Sequence, residues 1–116
     1  MSPVASPSLD RLFAPRAVAL VGVPRDLTRP GARPFHFLRR HGYPGRVHLV
    51  NPRVRAIEGQ PVYASLAAVP EPVDVAWIGL PAAQVLDAVL ECGRARVPFA
   101  VVLGAGFAEA GEGGAA

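Results

Sequence analysis

The chain has 116 residues, 51% of them apolar and 18% charged, with twelve basic residues against nine acidic. That length and balance fit one packed domain with its own core and exclude a disordered chain. No apolar run approaches the ~20 residues of a bilayer-spanning helix, and a single cysteine, Cys92, excludes an internal disulfide or a multi-cysteine metal site. The basic residues are all arginine, and residues 1–56 hold ten of them against Asp10 and Asp26, whereas residues 57–116 hold two against seven acids. Such asymmetry suits a side that meets phosphate or another polyanion. No basic run is interleaved with stacking aromatics, so a phosphate-bearing small ligand fits better than nucleic acid; a merely solvated arginine surface is the plain alternative.

Residues 1–8 read as a flexible leader without the basic start and apolar core of a signal peptide, which points to a cytoplasmic protein. Ser8 is placed to cap a short helix over Leu9 to Phe13, with Leu9, Leu12 and Phe13 on one face, and Ala14-Pro15-Arg16 breaks it. Ala17 to Gly22 is a first strand, followed by a loop of turn formers from Val23 to Gly31. A helix starts near Arg33-Pro34, turns Phe35 and Leu38 inward and Arg39 outward, and ends at Gly42 as a left-handed cap. Val47 to Pro52 is the second strand, and Gly59 to Tyr63 a short edge strand. Ser65 caps one helical turn, Leu66 to Val69, and Val73 to Pro81 is the third main strand. Pro81 opens a helix whose apolar stripe is read as Val85, Leu86, Val89 and Leu90, with Asp87 and Glu91 in solvent. Phe99 to Gly104 is the last strand, leading into Gly104-Ala105-Gly106-Phe107. Cys92 reads as a small buried apolar side chain on the long helix, and His36, His41 and His48 as structural or exposed.

Near-continuous β-branched runs are the mark of parallel strands covered on both faces, so the fold is α/β, Rossmann-like, in three layers. Right-handed crossovers put the second strand on one side of the first and the third main strand on the other. The carboxyl end of the first strand is then the switch point at which such sheets bind ligands. Gly22 lies there, but the three-glycine dinucleotide fingerprint is incomplete, and Pro24 removes one N–H. After the second strand, where an NAD enzyme carries an acid, stands Asn51-Pro52-Arg53. An arginine in that place suits a phosphorylated ribose, as in NADP or coenzyme A.

The runs Leu12 to Gly22, Gly42-Tyr43-Pro44-Gly45, Val50-Asn51-Pro52-Arg53, Ile57-Glu58-Gly59, Tyr63-Ala64-Ser65-Leu66, Leu80-Pro81-Ala82 and Gly104 to Glu109 occur in one order. In that order they resemble the coenzyme A-binding domain of the NDP-forming acyl-CoA synthetases, the group of ADP-forming acetate–CoA ligase and the succinyl-CoA synthetase alpha subunit. The resemblance spans Leu9 to Gly111. It implies that residues 9–116 are a coenzyme A-binding domain. Gly22, Val23, Pro24 and Arg25 would face the cofactor diphosphate and Arg53, after Asn51-Pro52, the 3′-phosphate. Leu80, Pro81 and Ala82, with Gly104, Ala105 and Gly106, would line the rest of the cofactor.

This chain departs from the pattern at four places. Gly22-Val23-Pro24 stands for Gly-Ala-Ser, Arg53 for a common lysine, Gly104 for Ser or Thr, and Arg96 for a glycine suited to a left-handed turn. The family domain continues through a further helix and strand, and a second domain carries the phosphorylated histidine, which none of the three histidines here matches. No catalytic or metal-binding constellation is present in the sequence. The expected role is therefore to bind coenzyme A beside other domains or subunits of a synthetase, without catalysis by this chain alone. An NADP- or NAD-binding redox domain and a non-binding interaction module, self-associating through an exposed sheet edge at Phe99 to Leu103, are the alternatives.

Overall fold

A computed structural model describes residues 9–103. Helix α1 (Asp10–Phe13) leads into strand β1 (Ala17–Val21); a 3-10 turn (Pro30–Ala32) and α2 (Arg33–Arg40) connect it to β2 (Arg46–Val50). A hairpin of β3 (Ala56–Ile57) and β4 (Gln60–Tyr63) follows, then a 3-10 turn (Leu66–Ala68), β5 (Val75–Ile78), α3 (Ala82–Arg94) and β6 (Phe99–Val102). The six strands lie in the order β3-β4-β2-β1-β5-β6, and all pairs are parallel except β3–β4. The chain thus steps outward from β1 in both directions, as right-handed crossovers require. The fold is the expected α/β Rossmann-like arrangement with the switch point at β1.

β1 is buried at all five positions because it is central and covered on both faces. One face packs Val18, Leu20 and Leu49 against Phe35 and Leu38 of α2; the other packs Ala19, Ala76 and Ile78 against Ala88 and Cys92 of α3 and Leu66. Burial of Cys92 pushes its thiol above the usual range, consistent with a packing role. Gly42 ends α2 with φ +63°, the expected left-handed cap. The Gly42-Tyr43-Pro44-Gly45 run has a structural reason: the Tyr43 hydroxyl donates to Pro15 O at 2.6 Å, and its ring lies over Gly45, where a Cβ would also come within 2.6 Å of Arg16 O. At the amino ends of the strands, the buried Asp74 accepts the Arg16 N–H at 2.8 Å and has Arg11 at 4.0 Å. Glu71 accepts from Arg46 Nε at 2.7 Å and pairs with His48, which fixes β2 to the segment entering β5.

Four local expectations are corrected. The stripe of α3 that meets the sheet is Val85, Ala88, Cys92 and Ala95; Leu86, Val89 and Leu90 are exposed. The buried stripe repeats at the 3-4-3 spacing of one helix face, and its small alanines carry little signal in an apolar count. Glu91 does not point freely to solvent: its carboxylate accepts the Leu66 N–H at 2.8 Å and so caps the turn that Ser65 was expected to cap, Ser65 making no side-chain cap bond. Leu9 and Phe13 of α1 are exposed, so that helix buries no apolar face among the described residues. The strand at Gln60–Tyr63 lies inside the sheet next to β2, and the edge is the two-residue β3. Ser8 lies outside the described residues.

Candidate functional site

The carboxyl ends of β1, β2 and β5 meet at the switch point. Gly22 ends β1 with φ +101°, and its N–H donates to Val50 O at 2.9 Å. A Cβ there would lie 2.6 Å from Gly79 O, so β5 approaches the chain too closely for any other residue. Gly22 therefore serves the close packing of three strand ends as well as leaving room at the crevice. Val23 turns its side chain into the α2-side core at 2% exposure, leaving only its backbone toward the crevice.

Asn51, at the end of β2, ties the two loops together. Its amide donates to Val23 O at 2.9 Å, and its Oδ1 accepts the Arg53 N–H at 2.9 Å. Both ends of that side chain are thus engaged, which fixes Pro52-Arg53 relative to Val23-Pro24-Arg25. Arg25 and Arg53, each two residues beyond this tie, are exposed, and among the described residues neither has an ion-pair partner. Arg29, Arg33 and Arg55 belong to the same loops or to the first residue of α2. Against them stands Asp26, which accepts Thr28 Oγ1 at 2.6 Å and Thr28 N at 3.0 Å. Those two bonds hold its carboxyl below the usual range and shape the loop.

Two helices begin at this end of the sheet. α2 follows β1 and α3 follows β5; neither has an acidic residue in its first turn or a side-chain cap on its N-terminus. A helix start like that of α3 presents N–H groups and a positive dipole end to an anion, whereas at α2 the Arg33 N–H is already donated to Pro30 O and Pro34 has no N–H. Pro81 is the N-cap of α3 and Ala82 its first residue, both exposed, and the half-buried Leu80 packs against the α3-side core. No carboxylate follows β2 until Glu58, so the usual NAD ribose acceptor is missing from the described site.

Between the start of α2 and the ends of β5 and β6 lies a cleft of about 420 Å³, walled by Pro30, Arg33, Phe37, Trp77 and Leu103 with Gly79 at its floor. These residues were not among the sequence candidates. Trp77 sits inside an apolar run and Phe37 on a helix face, and nothing in their spacing separates a cleft wall from a core residue. Gly104, Ala105 and Gly106 lie outside the described residues. Of the sequence candidates, Gly22, Pro24, Arg25, Asn51, Pro52 and Arg53 are brought together by the Asn51 tie, and Leu80, Pro81 and Ala82 stand across from them at the end of β5.

Residues 16–112 match the family described as CoA binding domain. The chain is 45% identical over 107 residues to acetate–CoA ligase [ADP-forming] I of Archaeoglobus fulgidus, covering 92% of this chain and 15% of that protein. It is 36% identical over 106 residues to acetate–CoA ligase [ADP-forming] II subunit alpha of Pyrococcus furiosus, covering 91% of this chain and 23% of the subunit. Among solved structures, the dinucleotide forming acetyl-coenzyme A synthetase 1 of Ca. Korarchaeum cryptofilum superposes with a TM-score of 0.75 at 38% identity, over 80% of this chain and 20% of that one. The chain thus spans less than a quarter of the length of these relatives. With an α/β sheet built around the β1 switch point and this match along most of its length, the chain belongs to the CoA binding domain family.

Proposed function

We propose that this chain binds coenzyme A at the β1 switch point and serves as the cofactor-holding part of an ADP-forming acyl-CoA synthetase. The observation that carries the reading is electrostatic. The start of α3 at the crevice carries no acidic residue, and the loops around the crevice carry Arg25 and Arg53, which have no ion-pair partners among the described residues. Coenzyme A is a diphosphate with a further phosphate on its ribose, and Arg53 suits that 3′-phosphate because guanidinium pairs with phosphate through parallel N–H bonds. The backbone from Gly22 to Arg25 suits the diphosphate, with Pro24 supplying no donor. The less polar arm then runs past Leu80, Pro81 and Ala82 into the cleft of Phe37, Trp77 and Leu103, and Gly104, Ala105 and Gly106 follow directly in the chain.

These residues bind and orient; no described side chain is placed to attack or to transfer a proton within the crevice. When bound, coenzyme A supplies a thiol nucleophile, and the acyl group would be presented by other domains or subunits. The domain reading of residues 9–116 and a cytoplasmic setting go with this proposal. A thermal-shift titration with coenzyme A, dephospho-coenzyme A and NADP tests it. A ligand at 100 times its dissociation constant adds about 2.7 kcal/mol, which moves a midpoint by several degrees. Stabilisation by coenzyme A above the other two is the expected result; an equal response to NADP supports the redox reading, and no response to any of the three overturns binding.

A further inference from the structure

The loop after β1 carries Arg25, and it is anchored at both ends. Asn51 holds the near end through Val23 O. The far end is a closed turn from Asp26 to Arg29: the Arg29 N–H donates to Asp26 O at 3.1 Å, and the Asp26 carboxylate accepts both the N–H and the hydroxyl of Thr28. Leu27, inside that turn, packs its side chain against the α2-side core and lends its carbonyl to His36, whose Nε2 lies 2.8 Å away. A carbonyl oxygen only accepts, so Nε2 is the donor and carries the proton.

His36 can hold the turn because α2 is itself fixed to the sheet, with Phe35 and Leu38 buried on either side of it in sequence. The segment leading into α2 closes on the same loop: Gly31 sits against Pro24, where a Cβ would come within 3.3 Å of the proline ring. Gly22 to Arg25 is thus bounded by the Asn51 tie, by a residue whose φ its own ring fixes, and by a turn pinned to α2. Ordering a loop on binding costs affinity, and a loop already held in one shape avoids that cost. The saving matters here because Pro24 offers a phosphate no N–H.

We propose that His36 is a positioning residue for coenzyme A: by holding the Asp26–Arg29 turn on α2, it fixes Arg25 and the backbone before it in one shape ahead of the ligand. The inference rests on the coenzyme A reading and adds to it a residue that sets affinity through Leu27 O rather than by touching the ligand. A surface histidine with a merely structural bond would add to stability and leave affinity alone. The two roles therefore separate in experiment.

The test compares wild type, His36→Leu and His36→Gln by titration calorimetry with coenzyme A, by amide hydrogen exchange of the ligand-free chain and by urea denaturation. His36→Leu should weaken coenzyme A binding about three- to tenfold and speed exchange across residues 25–29. Its urea midpoint should stay close to wild type, because His36 is exposed. Glutamine carries a donor nitrogen at a similar reach, so His36→Gln should return both affinity and exchange toward wild type. Wild-type affinity in His36→Leu overturns the proposal, as does a glutamine variant as weak as the leucine one. A loss of affinity matched by a fall in the urea midpoint makes His36 a structural residue and overturns it too. Those three results leave the coenzyme A reading standing; a wild-type chain that does not bind coenzyme A overturns that reading and this inference with it.

Discussion

Replacing Gly22 by alanine separates two costs that the structure assigns to this position. The first is conformational: φ is +101°, where an L side chain is strained by about 1–3 kcal/mol. The second is steric, since the new Cβ would sit 2.6 Å from Gly79 O, a backbone atom held by the β1–β5 pairing. Relieving that contact parts the strand ends at the switch point and weakens the Gly22 N–H bond to Val50 O, adding about 1–2 kcal/mol. Gly59 provides the internal control. It also has positive φ, +79°, but a Cβ there meets nothing within 4 Å, so Gly59→Ala carries the first cost alone. The expectation is a loss of about 3–4 kcal/mol for Gly22→Ala and about 1 kcal/mol for Gly59→Ala. At about 4–8 °C per kcal/mol for a domain of this size, the two variants should melt at clearly different temperatures, and urea denaturation followed by circular dichroism measures the free energies directly. Equal losses in the two variants would refute the argument that strand proximity, rather than backbone conformation alone, demands glycine at position 22.

Three further outcomes are expected. Hydrogen bonds from His48 and then Arg46 hold the Glu71 carboxyl below its ordinary value; a carboxylate depressed in the fold adds stability above its unfolded pKa, and that stability is lost as pH falls through the folded value. The urea midpoint of wild type should therefore exceed that of Glu71→Gln at neutral pH, and the gap should close in the acid range below about pH 4. Arg96 holds φ +61°, so Arg96→Gly should raise stability by about 1 kcal/mol in the same denaturation assay. Asn51→Ala removes both bonds that join the loops after β1 and β2; calorimetry should find weaker coenzyme A binding by about tenfold for about 1.4 kcal/mol of lost loop order.

Much of this architecture is legible in the sequence because its causes are local. Continuous β-branched runs mark buried parallel strands, Gly42 marks the end of α2, and the Arg33-Pro34 start follows from proline's fit to a first helical turn. The position of the switch point follows from chain order alone. What is not legible depends on partners distant in sequence. The Leu66 turn is capped by Glu91, twenty-five residues away, so no local Ser-x-x pattern reveals it. Ala88 and Cys92 lie at the sheet while the larger Leu86 and Leu90 are exposed, so side-chain hydrophobicity alone does not identify the buried face. Asn51 and Val23 look like ligand-facing residues by position, yet one is a tie between loops and the other a core residue. Trp77 becomes a cleft wall because it lies on the α2 face of β5, beside the start of α2 rather than beneath it.

The most direct test of the central claim is a ligand-by-residue cycle measured by titration calorimetry: coenzyme A and dephospho-coenzyme A against the wild-type chain and Arg53→Met. A charge-assisted pair of this kind contributes about 1.5–3 kcal/mol, so removing the 3′-phosphate should weaken wild-type binding by roughly ten- to a hundredfold and should change binding to Arg53→Met little. The same discrimination in both proteins would place the phosphate elsewhere and contradict the assignment of this crevice as the coenzyme A site.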